Sequence, residues 1–206
     1  MSKIPVIQPD QSYTFADYFK LNYDPEEILA YFGYSFQPQS LELPKSQGEL
    51  ERLENLKQRL QESLPYVSLT SEAARREFLI APVLMELIYY TQARLKVEYS
   101  LMVNDQLKGA LDYYLQSENH LLVIEAKNAD LQRGFTQLAV ELIAIDQWSP
   151  TSSPMLYGAV SIGNVWQFGV LNRQPKQILQ DINLYRVPAD LEDLLRILIA
   201  ILKNSH

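Results

Sequence analysis

Cysteine is absent from the chain, which excludes disulfides and thiolate metal sites. Only two histidines occur in 206 residues, His120 and His206. That removes histidine-based zinc sites and any triad built on a histidine within an apolar frame. His120 falls in a stretch of turn composition and reads as an exposed polar residue. Long apolar runs are missing too: the longest, Ile197–Leu202, is far too short to span a bilayer. Met1–Asp10 carries two prolines and no basic-then-apolar pattern of a leader. A soluble cytoplasmic protein with no membrane partner is expected. Basic residues are in deficit, 18 Lys and Arg against 25 Asp and Glu, for a net charge of −7. Binding to a phosphate backbone relies on counterion release by Lys and Arg, so this balance gives no general attraction to nucleic acid. Net charge does not fix local distribution, and an acidic metal site itself contributes carboxylates.

What is present is an apolar fraction of 47%, enough for a real core. Residues 1–66 read as an N-terminal helical extension and residues 67–206 as the main domain. Met1–Ser12 reads as a loosely attached arm. Aromatic and aliphatic residues crowd Tyr13–Tyr34, as a small packed core or a docking surface. Asp24-Pro25-Glu26-Glu27 has the capping Asp, first-turn Pro and acids of a helix start. Gln37–Lys45, with two prolines, reads as an extended linker. Gln47–Leu64 is predicted helical, with Leu50, Leu53, Leu56, Leu60 and Leu64 in one narrow stripe. Such a stripe packs onto its own domain or pairs with a second copy, giving a possible homodimer.

Thr70–Thr91 is a second predicted helix, capped by Thr70 or Ser71 and opened or kinked by Pro82. Its apolar arc holds Ala73, Ile80, Val83, Leu84 and Leu87. Arg76 falls inside that arc, and Glu72 and Glu77 lie at its edges. Charges so placed are rarely buried unpaired, so at least one is expected to reach a polar site. Lys96–Val103 alternates as a strand, and Asn128–Trp148 is a helix striped by Leu131, Phe135, Leu138, Leu142 and Ile145. Arg133, Gln137 and Glu141 share an adjacent face of it. Met155–Ile162 and Val165–Leu171 form a hairpin about Gly163-Asn164. Leu184–Val187 adds a short strand, and Asp190–Lys203 closes the chain as a helix with acids early and a lysine late.

The centre of the chain is another hairpin, Gly109–Leu115 and Leu121–Lys127, joined by Gln116-Ser-Glu-Asn-His120. Alternation puts Leu121, Val123, Glu125 and Lys127 on one face, and Leu122, Ile124 and Ala126 on the other. Asp112 stands on the partner strand. Three charged groups are thus delivered to the rim of an apolar sheet. Asp112 and Glu125 are hard oxygen ligands suited to Mg²⁺ or Mn²⁺. Lys127 could orient or deprotonate a water or stabilise a transition state, and Gln137 and Arg133 could hold a phosphate.

Gly109-Ala-Leu-Asp112, twelve intervening residues and Glu125-Ala-Lys127 together resemble the signature of the PD-(D/E)XK nuclease superfamily. Gln137, ten residues beyond the lysine, is similar to its RecB-type and type I restriction-subunit branches. Ser71-Glu-Ala-Ala-Arg-Arg76 with Ile80-Ala-Pro82, and Gly163-Asn-Val-Trp166-Gln-Phe168, resemble their opening helix and later hairpin. The proline of the family's name is absent, and Leu111 precedes the Asp. The resemblance spans about Leu69 to Val187. It implies an α/β, restriction endonuclease-like αβββαβ core, a mixed sheet with helices on both faces. It also implies a carbonyl ligand from Ala126 and a helix carboxylate at Glu72, in register with Arg76 and Pro82. The helical wheel does not separate Glu72 from Glu77. The expected function is a Mg²⁺- or Mn²⁺-dependent hydrolysis of DNA, RNA not excluded, by water attack without a covalent intermediate. The site set is Asp112, Glu125, Lys127 and Glu72, with Arg133, Gln137 and Arg76 toward substrate. The alternatives are a catalytically silent nuclease-fold protein that binds nucleic acid or a protein, and a purely structural partner.

Overall fold

A computed structural model describes residues 6–117, 121–127 and 130–203. His120, His206, the tip of the central hairpin and the predicted start of the long helix at Asn128 lie outside these residues. In chain order the elements are α1 (Phe15–Lys20), α2 (Pro25–Tyr31), β1 (Ser35–Gln39) and α3 (Leu53–Ser63). Next come α4 (Glu72–Arg75), a π-helical turn (Arg76–Ile80), α5 (Ala81–Thr91), β2 (Arg94–Asn104), β3 (Leu107–Gln116) and β4 (Leu121–Ala126). Then follow α6 (Leu131–Trp148), β5 (Met155–Ser161), β6 (Val165–Asn172), β7 (Gln177–Asp181), β8 (Tyr185–Arg186) and α7 (Leu191–Lys203).

The strands form one mixed α/β sheet in the order β1-β7-β6-β5-β4-β3-β2, with β8 beside β6. β4 and β5 are parallel and joined by α6, as the helix between them requires. The other parallel pair is β1 with β7. Apolar residues of α3, α5 and α7 cover one face, packed on Leu122, Ile124 and Ala126. α6 covers the other, packed on Val123. Among the described residues no helix is long and apolar enough to cross a membrane.

α6 is buried without interruption from Gly134 to Ile145. A surface helix would bury only one stripe. Here the sheet takes one side, and α1 and α2 take the other. The aromatic crowding of Tyr13–Tyr34 is the docking surface for α6: Phe15, Tyr18, Ile28 and Leu29 are fully buried in the same cluster.

Two expectations are corrected, and one pair of alternatives is decided. The arm is not loose from Val6 onward, because Ile7 is fully buried and Gln106 Nε2 donates to the carbonyls of Gln8 (3.3 Å) and Pro9 (3.2 Å). The run Ile4-Pro5-Val6-Ile7 is too short to carry a periodicity that would reveal this. The predicted linker is in part strand β1, at the edge of the sheet, where the missing N–H of Pro38 is tolerated. The leucine stripe is consumed within the chain: Leu53, Leu56 and Leu60 are buried in the core beside α5 and α7. It is therefore not available to join two copies.

The predicted helix over Thr70–Thr91 opens as anticipated around Pro82, into α4, the π-helical turn and α5. Ser71 caps it, its hydroxyl accepting the Ala74 N–H at 3.1 Å.

Candidate active site

The site is built where the central strands part. β3 and β4 pair from Gln116↔Leu121 to Tyr113↔Ile124, and no pair follows. On its other side β3 pairs with β2 through Tyr113↔Val97 and Leu111↔Tyr99, passing over Asp112 and Glu98. Glu98 takes a left-handed φ of 51°, unusual for a residue other than glycine. Alternation breaks here as well: Leu111 packs on the α6 side of the sheet and Tyr113 on the other, although they are two residues apart. Asp112 thus occupies a local twist released by both neighbouring strands. Its Oδ2 accepts the N–H of Ala126 at 2.8 Å, satisfying a buried donor that strand pairing leaves open. β4 stays fastened to β5 through Ala126↔Ser161, and the Lys127 N–H donates to the Ser161 carbonyl at 2.8 Å.

Glu125, Lys127 and Asp112 meet at this point, with side chains 1%, 13% and 14% exposed. The Lys127 ammonium pairs with Glu125 Oε1. The same oxygen accepts from Gln137 Nε2 at 2.7 Å, and Gln137 Nε2 also donates to Glu141 Oε1 at 2.9 Å. Glu125 Oε2, Gln137 Oε1 and Glu141 Oε2 are buried without hydrogen-bond partners. Gly134 permits this closeness, since a Cβ there would lie 2.7 Å from Val160 Cγ2 and 3.0 Å from Lys127 Cγ. Arg76 donates to Glu98 Oε1 at 2.6 Å, lies 3.5 Å from Asp112 Oδ1 and stacks over Tyr113.

Burial, followed by the Asp112 charge, pushes the Glu125 carboxyl up to about 8 against the pull of Lys127. Burial and Glu125 push Glu141 up in the same direction. Burial works against the Lys127 ammonium, but Glu125, Asp112 and Glu141 together outweigh it and hold the lysine above its ordinary value.

Glu72, Lys127, Gln137 and Arg133 line one cavity of about 480 Å³, together with Phe19 and Lys20 of α1. The Lys127 ammonium lies 5.1 Å from the centre of the Phe19 ring. Glu77 is exposed and is not part of that lining. The N-terminal end of α4 therefore lies at the site end of the sheet, with Arg75 Nη1 donating to the Ile162 carbonyl just beyond β5 at 2.9 Å. Gln137 reaches the cavity wall, but its amide nitrogen is committed to the two carboxylates. That leaves Arg133, 3.3 Å from Asp130, and Lys20 as the exposed cations of the wall. A larger cavity of about 690 Å³, lined by Phe36, Pro38, Gln132, Gln167 and Gln180 among others, contains none of the predicted residues.

The donor set suits a hard divalent cation. Two carboxylates are side by side, the Ala126 carbonyl lies between them in sequence, and Glu125 keeps a buried oxygen without a partner. No group of three or more acids or histidines at metal-holding range occurs among the described residues. Two carboxylates are nonetheless the usual protein share for Mg²⁺, which retains several waters.

Sequence reasoning left two residues out of the site. Glu141 carried a signal, a carboxylate four residues beyond Gln137 in a helix otherwise rich in apolar residues. Phe19 carried none, because nothing local ties α1 to a strand more than a hundred residues away. Comparison of the chain with models of known families, with curated proteins and with solved structures gives no match.

Proposed function

We propose that the protein is a metal-dependent nuclease that hydrolyses phosphodiester bonds of DNA, with a restriction endonuclease-like core. The observation that carries this reading is the convergence of Asp112, Glu125 and Lys127 at the parted end of β3 and β4. The order of α4 and α5, β2-β3-β4, α6 and β5 supports the fold reading, since it matches an αβββαβ core.

Asp112, Glu125 and the Ala126 carbonyl would hold Mg²⁺ or Mn²⁺. When bound, such a cation supplies Lewis acidity and charge neutralisation at a phosphoryl group. Lys127, an ammonium, orients the attacking water and stabilises the charge of the transition state, helped by a site that is largely screened from solvent. Arg133 and Lys20 meet the phosphates on either side of the scissile one. Glu72, on the same wall as Lys127, is the helix carboxylate of the site. Arg76 reaches Asp112 Oδ1 and leaves its Oδ2 on Ala126.

The test is nicking or linearisation of supercoiled plasmid with Mg²⁺ or Mn²⁺, wild type against Asp112→Ala. Cleavage by the wild type alone is expected. Absence of cleavage of plasmid, single-stranded DNA and RNA with either cation would overturn the reading. It would favour a catalytically silent nuclease-fold protein instead, for which the pairing of both carboxylates with Arg76 and Lys127 is the supporting observation.

A further inference from the structure

We propose that the 690 Å³ cavity is a subsite for an unpaired nucleobase of the nucleic-acid strand held at Lys127. The proposal rests on the nuclease reading only for the source of the base, a strand lying across the candidate active site. The cavity opens at the same end of the sheet as that site. Glu125 of β4 is in register with Val160 of β5, and Val160 with Gln167 of β6, which lines the cavity. Two strand spacings, about 10 Å, separate Glu125 from Gln167. A middle cavity of about 460 Å³ lies between the two regions. It shares Asp130 and Arg133 with the cavity of Lys127, and Asp24, Pro25 and Gln132 with the larger one. The three therefore form a row along the first turn of α6.

The walls of the larger cavity combine apolar side chains with amides. Phe36 and Pro38 of β1 stand on it, and so do Ile182 and Leu184, which are 60% and 50% exposed. Gln167, 9% exposed, donates through Nε2 to the Asp181 carbonyl at 2.8 Å. That carbonyl can only accept, so Gln167 turns its Oε1 toward Gln180, whose Nε2 donates to it at 3.1 Å. This relay fixes the plane of the Gln180 amide. It leaves Gln180 Oε1 and the second N–H of its Nε2 without a partner among the described residues. An acceptor and a donor side by side in one plane pair with the edge of a base, and the apolar walls take its faces. No Lys or Arg lines this cavity among the described residues, while Asp24 and Glu26 do. A phosphate is repelled there and a neutral ring is not. The backbone instead passes the middle cavity, where Arg133 stands.

The experiment measures binding of two labelled strands by fluorescence anisotropy in EDTA, so that no cleavage follows. One is a short oligodeoxyadenylate, and the other an abasic strand of the same length and charge. The full chain is used as wild type, Gln180→Leu and Ile182→Ser; the second changes an exposed residue and serves where the first fails to fold. The wild type is expected to bind the oligodeoxyadenylate about tenfold more tightly, the loss expected for one stacked base. Each variant is expected to lose most of that preference while binding the abasic strand as the wild type does. Equal binding of both strands by the wild type, or a preference that both variants keep, overturns the proposal. Binding of free adenosine with no binding of either strand overturns the strand as the source of the base. Plasmid cleavage without the preference overturns the subsite and leaves the nuclease reading standing. The preference without cleavage of any substrate upholds the subsite and overturns the nuclease reading.

Discussion

Asp112 Oδ2 and the backbone N–H of Ala126 are joined at 2.8 Å across two strands whose own pairing stops at Tyr113↔Ile124. One carboxylate therefore fastens β4 to β3 and turns its other oxygen toward Arg76 and the site.

Asp112→Ala is expected to abolish cleavage and to lose the divalent cation held at Asp112 while leaving a folded protein. It also strands a buried N–H, at a cost of about 1–3 kcal/mol. Calorimetric titration with Mg²⁺ and a urea melt read the two effects separately. Unchanged Mg²⁺ affinity in the variant would sink the assignment.

Lys127→Met is expected to retain metal binding and lose turnover by roughly 10²-fold or more, because its charge is not a ligand. The loss should appear in single-turnover rates as well as in kcat. Wild-type rates would reduce Lys127 to an ion-pair partner of Glu125.

Stability of the metal-free protein is expected to fall as pH rises between about 4.5 and 8. The Glu125 carboxyl, ordinarily near 4.5, is pushed up to about 8 in the folded chain by burial and then by Asp112. Within that window the folded state keeps a proton that the unfolded state has released, so rising pH favours unfolding. Below the window both states are protonated and nothing is lost. Glu141 is displaced in the same direction and deepens the fall. Asp17, held down to about 2 chiefly by Thr14, acts in the opposite sense but only below about 4. Urea midpoints in EDTA at about pH 5 and pH 8.5 measure it, and a higher midpoint at the upper pH would contradict the burial of Glu125.

Leu56→Ala is expected to cost about 2–5 kcal/mol, the range for a leucine removed from a packed core. Leu56 is fully buried within its own chain, so light scattering should show the same mass before and after. A near-neutral melt with a change in mass would return the stripe to a role between copies.

Glu72→Gln and Glu77→Gln separate the two helix carboxylates. Loss of cleavage is expected from Glu72→Gln, whose parent lines the Lys127 cavity, and full activity from Glu77→Gln, whose parent is exposed. The reverse result would move the site to the other edge of the helix.

Much of this was legible because it is local. The apolar alternation of Leu122–Ala126, the stripe of α6 and the charge gradient of α7 each belong to one element and need no partner to be seen. The parallel step from β4 to β5 followed from the helix between them. Less visible were features that depend on distant contacts. β7 is only Gln177-Ile-Leu-Gln-Asp181, too short and polar to stand out, and β1 carries a proline. The all-round burial of α6 depends on α1 and α2, which lie more than a hundred residues before it. The twist at Asp112 escapes any period-two reading, since that reading assumes the alternation that Leu111 and Tyr113 break. Glu72 came from the register of a motif, not from the wheel.

β1 takes β7 as its strand partner among the described residues, and Gln37 meets Gln177 across a sequence separation of 140 residues. On a ribosome the first strand therefore emerges long before its partner exists. At about 5–20 residues per second the wait is on the order of ten seconds. Through that interval the aromatic helices α1 and α2 must also wait for α6. The early part of the chain then keeps apolar surface exposed, and the sheet gains its β1 edge only once β7 has been made.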